Sequence, residues 1–227
     1  MGRSVPTWRV RVDQELQALA PYRRLLPHDE QAVFDDLLAH LRQRRGVAGM
    51  VYAFKTAGAA AEEGRDLDAV TAVAQKTADS CRSIGVALSP CTVPQAGKPT
   101  FEIADDEIEM GMGIHGEPGI WRGKLRTADE IATEMMERLL ADMPLSGGDK
   151  VSVMVNSLGA TPPEELYILY NKVKAALEAS GASIVMPLVG RYATSMEMAG
   201  VSFTICKLDD ELEALLKAPC DCAFWRV

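Results

Sequence analysis

The chain has 227 residues, of which 48% are hydrophobic and 25% charged, with a formal net charge of −8. This is the composition of an ordinary globular protein whose core can form without disulfides. The acidic excess argues against sequence-independent nucleic-acid binding, which needs surplus Lys and Arg, and no apolar run reaches the ~18 residues of a membrane span.

The N-terminus, Met1-Gly-Arg-Ser-Val-Pro6, has no apolar segment of the secretory kind, and Pro6 stands where a myristoylation motif takes Ser or Thr. A cytoplasmic protein is expected. Residues 1–45 are rich in Arg and Leu. Asp29 is placed to cap a helix carrying Val33, Leu37, Leu38 and Leu41, with basic residues in its last turn and Gly46 as its stop. Residues 46–64 are rich in Ala and Gly, which fits either close helix packing or a buried strand. Asp66 then caps a helix to about Cys81, with Val70, Val73, Ala74 and Thr77 inward.

From Ile84 the pattern changes. Ile84–Leu88 reads as a strand and Ser89–Thr100, with three prolines, as a loop. Phe101–Ile103 and Ile108–Ile114 read as short strands either side of an acidic turn. Thr127 and Glu130 form a capping box for a helix to about Ala141, with Ile131, Met135, Leu139 and Leu140 facing the core. Val151–Val155 reads as a strand of continuous apolar character. Next, Thr161 as cap, Pro162 at the first helical position and Glu164 as the second half of a capping box predict a helix. Leu166, Leu169, Tyr170, Val173 and Leu177 make its buried stripe and Gly181 ends it. Strands at Ile184–Val189 and Val201–Leu208 precede a last helix around Leu212–Leu216, capped by Asp209. Interleaved strands and helices with one antiparallel pair give an α/β fold with a mixed sheet.

Five cysteines make an odd count, and Cys220 and Cys222 are too close for a paired C-x-x-C knuckle. Free thiols and no metal are expected. His28 and His40 fall on polar, exposed helical sequence. The remaining histidine, His115, lies in Gly111-Met-Gly-Ile-His-Gly-Glu-Pro-Gly119. The glycines satisfy G-x-G-x-x-G, but no helix opens on the last of them, so a dinucleotide site is not expected. Two readings remain: a glycine-sculpted loop presenting His115 to a polar ligand, or a tight turn whose histidine bonds to backbone. Asn156–Thr161, a strand end running into a helix, is either an anion site or a structural turn. A third polar loop, Gly190–Gly200, carries Ser195 without histidine or aspartate at triad spacing.

Several uninterrupted runs carry a specific resemblance. They are Arg45-Gly-Val-Ala-Gly49, Ala57-Gly-Ala-Ala-Ala61, Ser83-Ile-Gly-Val-Ala-Leu-Ser-Pro-Cys-Thr-Val-Pro94 and Gly97-Lys-Pro99, with the Gly111–Gly119 loop. Val155-Asn-Ser-Leu-Gly-Ala-Thr-Pro162, Glu165-Leu-Tyr167 and Thr194-Ser-Met-Glu-Met-Ala-Gly200 continue it. Over residues 45–218 the sequence resembles the second half of the ketose-binding, DhaK-type subunit of dihydroxyacetone (glycerone) kinases. The resemblance implies the second domain of the dihydroxyacetone kinase and DegV-like fold. Residues 46–227 would form it, 46–83 helical and 84–227 mixed α/β, after a divergent helical segment, 1–45.

The resemblance also implies chemistry. His115 would bond covalently to the carbonyl of a short ketose such as dihydroxyacetone as a hemiaminal, with Gly113, Gly116 and Glu117 binding the substrate around it. The family's first domain, with its G-G-G-S-G-H-E-P loop and aspartate base, has no counterpart in residues 1–45. A partner would supply that domain. A DhaL-type nucleotide-binding subunit, or a phosphotransferase-system component, would carry ATP or another phosphoryl donor, so this chain would bind no cofactor itself. A homo-oligomer is implied, since the family's ketose subunits are dimers. The expected function is a ketose-handling kinase component, incomplete alone. The alternatives are a non-catalytic ketose sensor or coactivator, a truncated paralogue, or a scaffold with an idle His115.

Overall fold

The computed structural model describes residues 48–95, 97–114, 119–222 and 225–227. The helix expected after Asp29, His28 and His40 lie outside the described residues, as do His115, Gly116 and Glu117.

The described elements are α1 (Gly49–Glu62), α2 (Leu67–Asp79), β1 (Cys81–Ala87), β2 (Glu107–Met110), β3 (Trp121–Lys124), α3 (Ala128–Asp142), β4 (Lys150–Ser157), α4 (Pro163–Ala179), β5 (Ser183–Gly190), β6 (Gly200–Leu208) and α5 (Asp210–Lys217). The Ala/Gly-rich stretch is therefore a helix, α1. The strands form one six-stranded sheet in the order β3-β2-β1-β6-β4-β5. Only β4 and β5 run parallel, joined by the crossover helix α4; the other four pairings are antiparallel.

Local end signals act as the sequence predicts. Asp66 accepts from the Ala69 N–H at 2.9 Å and Asp209 from the Leu212 N–H at 2.8 Å. Thr127 and Glu130 form a reciprocal capping box. Gly181, at φ +83°, ends α4, with its N–H on Glu178 O at 3.0 Å and the Ala182 N–H on Leu177 O at 3.3 Å.

Strand alternation sorts the core onto two faces. Ile84 and Val86, Val151, Val153 and Val155, and Val201, Phe203 and Ile205 point to one face, where α3 and α4 bury Met135, Met136, Leu166 and Val173. On the other face Met154, Cys206 and Leu208 meet Tyr52 of α1, Val73 of α2 and Leu212, Leu215 and Leu216 of α5. This second face also carries polar groups, so β4 is not continuously apolar in its surroundings. Ser83 and Thr204 hydroxyls are 2.6 Å apart, Asn156 Nδ2 donates to Ser202 Oγ at 3.0 Å, and Tyr52 and Ser152 hydroxyls lie 2.8 Å apart. Pairing inside the sheet–helix interface is what makes these buried groups tolerable.

Three expectations need correction. Phe101–Ile103 is not a strand. The strand that pairs with β2 is Trp121–Lys124, an edge strand whose alternately exposed Arg122 and Lys124 obscure any apolar pattern. The strand predicted over Ile108–Ile114 leaves the sheet after Met110, because Gly111 takes φ +81°. Finally, α4 starts at Pro163 with Pro162 as its uncapped N-cap residue, so the second capping box does not form. The Thr161 hydroxyl is taken by Gly200 in β6 instead. A boundary also shifts: β1 starts at Cys81, inside the stretch read as helical.

Candidate functional site

Four connecting segments meet around the Ala87 end of β1. Register sets this up: Ala87 opposes Gly200, and Ser157 opposes Val201, so the chain leaving β1, the chain leaving β4 and the chain entering β6 lie together. Ala87, Cys91, Met112, Leu158 and Met198 form a separate buried apolar cluster there, with Phe101 and Ile114 against it. Each of the three motif loops thus contributes a fully buried side chain: Met112, Leu158 and Met198.

The histidine loop is held at both described ends. On the outgoing side the Gly111 N–H donates to Gly85 O at 2.6 Å. The chain then passes over the sheet at Gly85, where a Cβ would stand 2.7 Å from the Met112 carbonyl oxygen. Gly85 is therefore required by close approach of backbone to backbone. Gly113 is buried and Ile114 half-buried. On the returning side the Ile120 N–H donates to Met110 O at 2.6 Å, and the Gly119 N–H to Glu109 Oε1 at 2.6 Å. A Cβ at Gly119 would lie 2.3 Å from Met110 O. Nothing local in the sequence marks Glu109. Its partners, Gly119 and Arg122, become neighbours only through the β2–β3 hairpin.

The Asn156–Thr161 segment is a structural turn. The Leu158 N–H donates to Gly200 O at 3.0 Å, the Gly159 N–H to Ser157 Oγ at 3.2 Å and the Ala160 N–H to Met198 O at 3.0 Å. Those donors are spent within the protein and do not form an anion cradle. Asn156 is buried and fixes the third loop, its Oδ1 accepting from the Tyr192 and Ala193 N–H groups at 2.8 and 2.9 Å and its Nδ2 donating to Ala193 O at 2.7 Å.

In that third loop Ser195 is buried and donates to Cys91 Sγ at 3.3 Å, so its hydroxyl is not presented as a nucleophile. Glu197 reaches across to accept from the Thr92 N–H at 2.8 Å. Its own backbone N–H and Thr92 hold its carboxyl below the usual range.

The five cysteines are free thiols. Cys220 lies 3.6 Å from Trp225 O and Cys222 is exposed. Among the described residues no group of three or more His, Cys, Asp or Glu side chains could hold a metal ion. No helix among them is long and apolar enough to cross a membrane.

Comparison with known proteins puts this geometry in context. The Dak1 domain matches residues 21–224. The chain is 48% identical over 202 residues to the dihydroxyacetone-binding subunit DhaK of PTS-dependent dihydroxyacetone kinase 1 from Listeria innocua, covering 86% of this chain and 61% of that protein. It is 42% identical over 215 residues to the dihydroxyacetone-binding subunit DhaK of the PEP-dependent kinase of Escherichia coli, covering 84% of this chain and 60% of that one. Among solved structures, the dihydroxyacetone kinase operon co-activator DhaQ superposes with a TM-score of 0.72 at 35% identity, over 77% of this chain and 55% of the other. The chain therefore spans 60–61% of the length of these two curated relatives.

Proposed function

Because the chain belongs to the Dak1 domain family, we propose that it is the ketose-holding part of a dihydroxyacetone-kinase-type system, with His115 as the covalent anchor. A neutral imidazole nitrogen adds to the ketone carbon, the carbonyl oxygen gains a proton and the ring N–H is lost. The resulting hemiaminal is neutral and consumes no co-reactant. A triose offers little surface for binding, so a reversible bond supplies grip, and it selects ketoses over polyols that lack the carbonyl. Gly113, Gly116 and Glu117 line the bound substrate and leave its hydroxymethyl group for phosphoryl transfer, where positioning does much of the work.

The observation that supports this reading is the convergence of all three motif loops on one buried cluster, with the stems of the histidine loop fixed on both sides. In this reading residues 46–227 are the ketose domain and 1–45 a separate helical segment. A domain of the DhaK N-terminal type brings the base. A partner subunit brings ATP or a phosphotransferase-system phosphoryl group, and the assembly is cytoplasmic and homo-oligomeric in its ketose subunit. Titration of the chain with dihydroxyacetone labelled at its carbonyl carbon tests the central step. The carbon resonance moves from the ketone to the tetrahedral region with wild type and stays put with His115→Ala.

A second reading, a ketose sensor or coactivator, draws support from the likeness to DhaQ. It also predicts the adduct. It differs in that no triose phosphate forms when the chain is combined with a first-domain chain, a nucleotide-binding subunit and ATP.

A further inference from the structure

A carboxylate removed from water is costly unless each oxygen is paired. Glu109 is 5% exposed, and its pairing is complete. Oε2 accepts from Arg122 Nε at 2.9 Å and from Nη2 of the same guanidinium. Oε1 accepts from the Gly119 N–H. Arg122 is fixed in turn. Its Nη1 donates to Glu102 O at 2.6 Å, and its guanidinium carbon lies 5.9 Å from the centre of the Phe101 ring.

The β2–β3 hairpin does not need this arrangement for its ladder, in which Glu109 simply opposes Arg122. The bond to Gly119 is different. It leaves the ladder and takes hold of the backbone where the histidine loop returns to the sheet. A hydrogen bond to a charged acceptor is stronger than one to a neutral acceptor. No side chain fits at Gly119, whose Cβ would also stand 2.7 Å from Glu109 Cγ, so carboxylate and backbone meet as closely as they can. The outgoing stem is already fixed at Gly85. Both described stems of the loop are thus held to the sheet, the kind of support that a surrounding shell gives a site.

We propose that Glu109, oriented by Arg122, is the positioning residue for the return of the histidine loop to the sheet at Gly119, and that ketose capture at His115 depends on this hold. The proposal rests on the reading of His115 given above, and its test separates the two. Hydrogen exchange by mass spectrometry and titration with carbonyl-labelled dihydroxyacetone are run on full-length wild type, Glu109→Ala and Glu109→Gln. In Glu109→Ala, exchange at residues 119–121 rises about tenfold or more while β4 and β6 are unchanged, and the adduct weakens about tenfold. Glu109→Gln, whose amide oxygen still accepts from Gly119, restores part of both. Exchange that rises uniformly through the molecule, or an adduct of undiminished affinity in folded Glu109→Ala, overturns the proposal. Should Glu109→Ala not fold, Arg122→Leu is read in its place and gives the same changes at smaller size; no change in the loop overturns the proposal. If wild type forms no adduct, the ketose reading fails. The exchange arm then decides the anchoring alone: a loop that loosens in the variant upholds it, and one that does not overturns it.

Discussion

Thr161 and Gly200 exchange two hydrogen bonds, the Thr161 hydroxyl donating to Gly200 O at 2.8 Å and accepting from the Gly200 N–H at 2.9 Å. One side chain thereby ties the turn after β4 to the first residue of β6, inside the convergence of the motif loops. Thr161→Val keeps the shape and removes both bonds, so the buried Gly200 N–H loses its hydroxyl acceptor while Gly200 O keeps only the Leu158 N–H at 3.0 Å. The expected cost is about 1–3 kcal/mol. At roughly 2–4 °C per kcal/mol for a domain of this size, thermal unfolding shows it directly. An unchanged Tm would mean that the pair carries no net stability.

Gly85 gives a sharper test of where the histidine loop runs. An alanine methyl there would meet the Met112 carbonyl oxygen at 2.7 Å, a backbone atom that cannot swing aside. Gly85→Ala should cost about 1–3 kcal/mol from overpacking. It should also weaken ketose capture by about tenfold or more, equivalent to about 1.4 kcal/mol. A variant that is as stable as wild type and captures ketose equally well would show that the loop does not lie over β1.

The ion cluster joining α2 to α5 predicts a pH profile. Lys76 Nζ contacts Asp209 and lies 2.7 Å from Glu211, which Arg65 also reaches at 2.5 Å. Lys76, then Arg65, hold the Glu211 carboxyl below its ordinary value, while Asp209 and Glu211 raise Lys76. The Glu211 contribution is present above the ordinary carboxylate range and is lost as pH falls through its lowered value. The Lys76 contribution is present below the ordinary lysine value and is lost as pH rises through its raised one. The stability difference between wild type and Lys76→Met should therefore be widest between about pH 5 and pH 10 and narrow on both sides. Added salt should shrink it, since these groups are partly exposed to solvent. Denaturant midpoints across pH and salt measure this; a pH-independent gap would contradict it.

Features encoded in a few neighbouring residues were legible in the sequence. Asp66, Thr127 with Glu130, Asp209 and Gly181 each act within one turn of helix, so their types and spacing suffice. Thr161 carries an equally good local signature but does not cap α4, because Gly200 lies 39 residues away in the chain and offers a buried partner for the same hydroxyl. Trp121–Lys124 escaped notice because a short edge strand with alternate charges facing out has little apolar pattern to read. Glu109 was invisible for a related reason: its role exists only once β2 and β3 pair and bring Gly119 back beside it. The motif loops themselves stood out in sequence, but their meeting on Met112, Leu158 and Met198 required the strand order.

The claim that His115 captures a ketose is tested most directly at the imidazole itself. The chain contains only three histidines, so nitrogen-15 labelling of histidine gives three resolvable rings. On addition of dihydroxyacetone, one ring should change from the nitrogen pattern of free imidazole to that of an N-alkylated one. That signal should be missing in His115→Ala, and the other two rings, His28 and His40, should stay where they are. Three unshifted rings at saturating ketose, or a shift that survives in His115→Ala, would contradict the account.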